Sequence, residues 1–275
     1  MMKVGIPLKK ILVLFLLMIG IYIGYINWNN ADWLTFGKHS NQANITHSTD
    51  TIKMDVSGVS TTIIPENRDN LKADLKGKGK LIVKENGDTI SVQYKRKWLE
   101  WFSFVDHSKL TIHIPKNYHR NMEIKIGTGN LDYIGKNTSL KSLALNIGTG
   151  NIHVNHLKVD HFKQKGSTGN AVISSLSTKT GSFDQSTGNI KLTHYSGKLD
   201  AELSTGNFKV QMDQLTNDVK VGVSTGSVKL DLPQNASFKL KGNVSSGSIS
   251  TEFPLKNQSE SKKHLEGTHR SGKNN

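Results

Sequence analysis

The sequence predicts an all-β fold: a single-stranded β-solenoid, or β-helix, of about seven rungs of 18–21 residues each, behind an N-terminal transmembrane helix. Three observations predict it. A Ser/Thr-Gly-Asn/Ser turn recurs seven times, and its central glycines, Gly129, Gly150, Gly169, Gly188, Gly206, Gly226 and Gly247, stand 21, 19, 19, 18, 20 and 21 residues apart. Apolar residues alternate with polar ones on both sides of each turn, as in Ile124/Ile126 before Gly129 and Leu131/Tyr133 after it. An apolar run follows three lysines close to the first residue.

Taken in order, Lys3, Lys9 and Lys10 precede residues 11–26, which are apolar apart from Gly20, Gly24 and two tyrosines. Trp28 and Trp33 follow at the depth of a membrane interface. Residues 8–28 supply the ~20 residues a span needs. No small-x-small cleavage site follows them, so an uncleaved signal anchor over residues 1–28 is favoured over a removed signal peptide. The lysines keep the start in the cytoplasm and place the rest outside.

Residues 29–50 are polar and read as a tether. Residues 51–120 are β-rich but lack the repeat. Glu85-Asn86-Gly87-Asp88 is a hairpin turn between Leu81-Ile82-Val83 and the alternating stretch from Ile90 to Tyr94. A second alternating stretch from Leu110 stops at Pro115.

Residues 121–254 are the repeat. Glycine followed by Asn or Ser suits a corner that needs positive φ. Stacked corners place Thr on Thr and Asn on Asn at the ~4.8 Å spacing of paired strands, forming amide ladders. One rung cannot bury its apolar face alone, so neighbours share a core. Gln164, Gly166 and Gln185 stand where other units carry Leu, Ile or Val, which predicts a thinner, hydrated core there. Residues 255–275 have little to bury and read as a loose polar tail.

The chain has no cysteine, which excludes disulfides, thiolate metal sites and a cysteine nucleophile. The formal net charge is +14, and with three lysines ahead of the apolar run the remainder carries +11. A basic exported domain attracts anionic wall polymer or lipid headgroups; an extracytoplasmic location argues against nucleic acid. Solvated, edge-protecting lysines are the alternative reading.

Two surface features stand out as candidate sites. Lys191, Lys209 and Lys229 occupy the third position after the glycine in three successive units, a ladder of like charges that an anionic ligand would relieve. Lys95, Arg96, Lys97, Trp98 and Trp101 mix charge with aromatics, as a membrane-interface patch does or as a cap on the solenoid's open end would.

Signs of catalysis are weak. Asp184, Asp200 and Glu202 share a face, with Asp132 and Asp213 as further carboxylates, so a polysaccharide-cleaving β-helix enzyme is the alternative function. His153, His156 and His161 cross a corner with no accompanying carboxylate. The seven turns lack the strand-loop-helix context of phosphate loops, and no G-x-S-x-G elbow occurs. No catalytic residue, metal or cofactor is expected.

Several stretches together resemble a large bacterial family of adhesin-like domains of unknown function. They are the strand that ends in Ser57-Gly58-Val59, the Lys76-Gly77-Lys78-Gly79 turn, Ile112-His113-Ile114-Pro115-Lys116, the ladder of glycine turns, Leu232-Pro233-Gln234-Asn235-Ala236 and Ser245-Ser246-Gly247-Ser248-Ile249. The layout is closest to its LiaG-like, membrane-anchored branch from Gram-positive envelope-stress operons, over roughly residues 45–275. The resemblance implies the solenoid and no established catalytic residues. Relatives add a rung after a Gly-Thr-x-x-x-Gly stretch; here Gly267-Thr268-His269-Arg270-Ser271-Gly272 is followed by three residues, which implies one rung fewer. The expected function is a non-catalytic, extracytoplasmic scaffold or binding module in adhesion or envelope stress. Its expected partners are the membrane, anionic wall polymer or headgroups, and an envelope protein.

Overall fold

The structure, a computed structural model, describes Met18 and residues 41–95, 108–246 and 248–270. The signal-anchor run apart from Met18, Gly247, and Arg96, Lys97, Trp98 and Trp101 lie outside these residues. No helix among the described residues is long and apolar enough to cross a membrane. The chain divides into residues 1–39 and residues 40–275.

Among its described residues the second unit has fifteen strands: β1 (Gln42–Asn44), β2 (Thr51–Val56), β3 (Ser60–Glu66), β4 (Asn70–Lys76), β5 (Lys80–Asn86), β6 (Thr89–Lys95), β7 (Lys109–Pro115), β8 (Asn121–Thr128), β9 (Leu131–Thr149), β10 (Ile152–Thr168), β11 (Ala171–Met212), β12 (Val219–Asp231), β13 (Phe238–Asn243), β14 (Lys256–Ser261) and β15 (His264–His269). From β8 to β12 the chain coils and every rung pairs in parallel with the next. The pairing offset is 19 residues throughout β10 on β11, as in Ile152 with Ala171 and Thr168 with Thr187. It is 20 in β11 on β12, as in Leu199 with Val219. These are the spacings of the glycines, so the period in the sequence is the circumference of the coil.

The alternation decides which side chains enter the core. Leu131, Tyr133, Leu145, Ile147, Ile152, Val154, Ile173, Ile190, Leu192, Phe208 and Val210 are all buried. Phe162 and Phe183 stack with ring centroids 5.3 Å apart, and Tyr195 meets Phe183 edge-on at 6.2 Å. Burial pushes the phenols of Tyr133 and Tyr195 above their ordinary range, so both remain neutral.

At Gln164 and Gln185, where the sequence predicts a thinner core, the structure holds the two polar side chains inside, and Gln164 Oε1 has no hydrogen-bond partner among the described residues. Both are buried, at 0% and 3% exposure, and the Gln164 side-chain amide donates to Oε1 of Gln185 at 2.8 Å. Gln185 in turn donates to the carbonyls of Thr187 and Gly169. Gly166 has no side chain because a Cβ there would lie 2.0 Å from Gln185 Oε1. The missing side chain is the space the glutamine fills.

At the N-terminal end the parallel stack is closed. β2 and β3, joined at Ser57-Gly58-Val59, form a further rung: β2 pairs in parallel with β8, and β3 with the start of β9. Beyond it β6 and β7 pair in parallel with β2 and β3, and the antiparallel strands β5, β4 and β1 finish the edge. Two-residue Gly87-Asp88 joins β5 to β6 as the hairpin reading expects. The expected tether is folded from residue 42 on: Ala43 and Thr49 are buried, and Arg120 donates to the carbonyls of Thr46 and Thr49.

At the C-terminal end the structure departs from the sequence reading. The glycine corners from Gly129 to Gly226 stand in the coil, and β13, β15 and β14 form a separate antiparallel sheet in that order. The chain turns off at Pro233, whose carbonyl accepts the Ala236 amide. Phe238, Phe253 and His269 then cluster with centroids 5.0–5.4 Å apart, and Leu265 is buried. The expected loose tail is therefore strand from residue 256 to 269, outside the short turn between β14 and β15. The seventh unit is also the least apolar, with Gly242 and Thr251 in slots that others fill with aliphatic residues.

Candidate functional site

Each rung has a corner at its glycine, and this corner sets the register of everything beside it. Gly129, Gly150, Gly169, Gly188, Gly206 and Gly226 have φ between 128° and 145°. A Cβ on Gly188 would lie 1.7 Å from the Gly169 carbonyl oxygen, so only glycine permits this stacking distance. The asparagines that follow form a continuous ladder. Oδ1 of Asn130, Asn151, Asn170 and Asn189 accepts both the backbone amide and the side-chain amide of the next asparagine, from Asn151 to Asn207. Ser227 ends it with a 2.6 Å hydrogen bond to Asn207. The ladder locks consecutive rungs in register without a side-chain choice between them.

Two residues beyond each asparagine, one side chain per rung points outward from the arm after the corner. Lys209 pairs directly with Lys229 across β11 and β12. Lys191 stands in the same column, fixed by the 2.9 Å amide bond of Asn207 to Asn189 two residues earlier in both rungs. All three are exposed. None has a carboxylate within salt-bridge distance among the described residues, although ion pairs form elsewhere on the coil, as Lys179 does with Asp160 at 3.0 Å and Lys53 with Glu123 at 3.4 Å. Toward the N-terminal end the same column continues as Val172, His153, Asp132, Thr62, Thr111 and Asp74. The column is thus graded, acidic near the closed end and basic over its last three rungs. Like charges on neighbouring strands repel at ~4.8 Å, so the row concentrates positive charge along one face.

The other candidates do not assemble. Lys95 ends β6 and is exposed, and the remainder of its patch lies outside the described residues. Asp184, Asp200 and Glu202 are exposed on the opposite arm, where Asp184 lies 3.9 Å from Lys165 and Asp200 pairs in register with Lys220. Asp132 lies in the lysine column's acidic end. His153 is in that column too, His156 sits at the far corner with φ 50°, and His161 hydrogen-bonds Thr180 at 2.9 Å. No cluster of three His, Cys, Asp or Glu that could hold a metal occurs among the described residues.

Sequence reasoning missed the second corner of each rung. There Asn137, His156, Ser175 and His194 all have left-handed backbones, with φ from 50° to 60°. His194 Nδ1 lies 3.0 Å from Asp213 Oδ1 beside a shallow cleft that includes Ser175 and Ser196. Asn, His and Ser all stand at this corner and no single residue type marks it, so only the period of the repeat could have pointed to it. Sequence reasoning also missed Ser57-Gly58 as a corner; the Gly58 amide donates to the Thr128 carbonyl just as Gly129 donates to Thr149.

The Toastrack DUF4097 family model matches residues 49–275, the whole coil with its two ends. The chain belongs to this family. Its Toastrack rungs resemble two solved structures. A candidate cell adhesion protein from Clostridium sporogenes ATCC 15579 is 10% identical, with 70% of this chain and 98% of that one covered and a TM-score of 0.38. A candidate adhesin from Parabacteroides merdae ATCC 43184 is 12% identical, with 70% and 97% covered and a TM-score of 0.25. No curated protein matches the chain. The family is a domain of unknown function.

Proposed function

We propose that this Toastrack protein is a non-catalytic binding module, anchored in the cell membrane by residues 1–28 with residues 29–275 outside. It docks an anionic polymer of the envelope, wall polymer or a row of lipid headgroups, along Lys191, Lys209 and Lys229. The observation that carries the reading is that these lysines are in register on consecutive rungs, exposed, and without a carboxylate partner among the described residues. The excess of +11 beyond the apolar run supports it by raising the local concentration of polyanions. A role in adhesion or in the response to envelope stress fits such a module.

The test is retention of the full chain, in detergent micelles, on purified wall teichoic acid and on anionic liposomes at low salt. The K191Q/K209Q/K229Q variant is expected to bind several-fold more weakly with an unchanged melting curve, since the three side chains point away from the core. Binding of the natural chain is expected to fall as salt rises, because exposed charges are screened within ~8 Å at physiological ionic strength. Equal retention of the two proteins would overturn the assignment to this column.

A further inference from the structure

The N-terminal end of the coil is finished by antiparallel strands, but the C-terminal end is not. Among the described residues β12 pairs only with β11, so one whole edge of its backbone has no strand against it. Val228 at 44% and Leu230 at 36% are, apart from Met18, the exposed large apolar side chains of the described residues, and both lie on β12 in core-facing slots. Val219, Val221 and Val223 on its other arm are half-buried against the same core. An open backbone edge and an open end of the core therefore coincide. Monomers conceal such edges because they template further pairing.

We propose that this edge is a self-association surface on which a second copy of the chain stacks tail to tail, β12 against β12, about a twofold axis. The argument is one of register. Earlier rungs show which amides point toward the next rung: Leu131 donates to the Asn151 carbonyl, Ile152 to Asn170, and on the other arm Leu199 donates to Asp218. By the same positions in the repeat, the outward amides of β12 belong to Val219, Val221 and Val223 before the corner and to Val228 and Leu230 after it. A twofold axis that bisects the corner lays one arm on the other copy's opposite arm, antiparallel, and keeps core-facing side chains facing the core.

The register that matches outward amides puts Val223 opposite the second copy's Val228 and Val221 opposite its Leu230. That same register decides the polar positions. Lys220 meets the second copy's Asp231, and Lys229 meets its Gly222 rather than another lysine. The apolar, hydrogen-bonding and charge patterns of β12 are thus complementary to themselves in a single alignment, as an isologous contact requires. The proposal does not depend on what the lysine column binds.

The chain has no cysteine, so an introduced one reports without background. Thr225 is exposed at the corner next to the axis, and Thr205 occupies the same corner one rung deeper, in register with it. Stacked strands bring Cα atoms within the range a disulfide spans, whereas a rung's displacement on each side exceeds it. The full chain carrying Thr225→Cys, in the membranes of its expression host, is expected to yield a covalent dimer on mild oxidation, and Thr205→Cys is not. Lys220→Asp added to Thr225→Cys is expected to reduce the dimer several-fold, and Lys220→Asp with Asp231→Lys to restore it. Equal cross-linking at 225 and 205, or no restoration by the charge exchange, would overturn the proposal. So would a Thr225→Cys/Ser246→Cys chain that closes on itself, because the chain's own seventh repeat would then occupy the edge.

Discussion

The side-chain amide of Gln164 donates to Oε1 of Gln185 at 2.8 Å, one rung above it in a core otherwise built from aliphatic and aromatic side chains. Gly166 provides the room and the backbone carbonyls of Gly169 and Thr187 take the Gln185 amide. A polar group with partners is tolerated in a core; one that loses its partner is not. Gln185→Ala is therefore expected to lower stability by about 1–3 kcal/mol, read by chemical denaturation, because it strands the Gln164 amide. Gly166→Ala is expected to destabilise by ~1–3 kcal/mol in the natural background, from overpacking, and by less when Gln185 is already alanine. Additive effects in the double variant would argue against the shared space.

Not every glycine of the coil matters alike. Gly188 has φ 128° and an added Cβ would strike the Gly169 carbonyl at 1.7 Å, whereas at Gly222 the nearest atom, the Ala201 carbonyl oxygen, is 4.0 Å away. Gly188→Val is expected to cost at least ~1–2 kcal/mol from the left-handed backbone alone. Gly222→Ala is expected to stay within about 0.5 kcal/mol of the natural chain. Comparable melting temperatures for the two would sink the stacked-corner account.

The asparagine ladder predicts a gradient along itself. The side chain of Asn170 accepts two hydrogen bonds from Asn189 and donates one to Asn151, while Ser227 makes a single side-chain bond at the end. Asn170→Ala is expected to destabilise by about 1–2 kcal/mol and Ser227→Ala by less than about 1 kcal/mol, since both sites are solvated. Urea denaturation of the two variants checks the order.

Topology can be tested directly. The anchor reading expects the full chain to stay with membranes and protease added to intact protoplasts to remove the residues beyond about 30. Appearance in the medium of a chain beginning near Ala31 would replace the anchor by a cleaved signal.

The corners, the arms and the lysine column could be counted off from the glycines because each rung repeats the same residue types at the same positions. Register is a matter of arithmetic in such a chain, and Lys209 falls on Lys229 as the count requires. What could not be counted was decided by partners distant in sequence. Ser246 and its neighbours carry the repeat's turn, yet the strand before them, β13, pairs with β15, because alternation alone does not distinguish a parallel neighbour from an antiparallel one. The burial of Gln164 depends on Gly166 and Gln185 together, a relation across 21 residues that no local window contains. The isolation of the lysines from carboxylates was likewise invisible until the opposite arm, with Asp184, Asp200 and Glu202, was seen to face elsewhere.

Because the edge a rung offers has the same shape as the edge it receives, the interior of the coil has no fixed length. A duplication of the segment from Gly188 to Thr205, or its deletion, would change the height by one strand spacing, ~4.8 Å, and keep every corner in register. Such a chain can be tuned in evolution as a ruler is. The height of the coil, and the number of lysines in its column, can rise or fall in whole steps by slippage at the level of the gene, without a new core having to be invented.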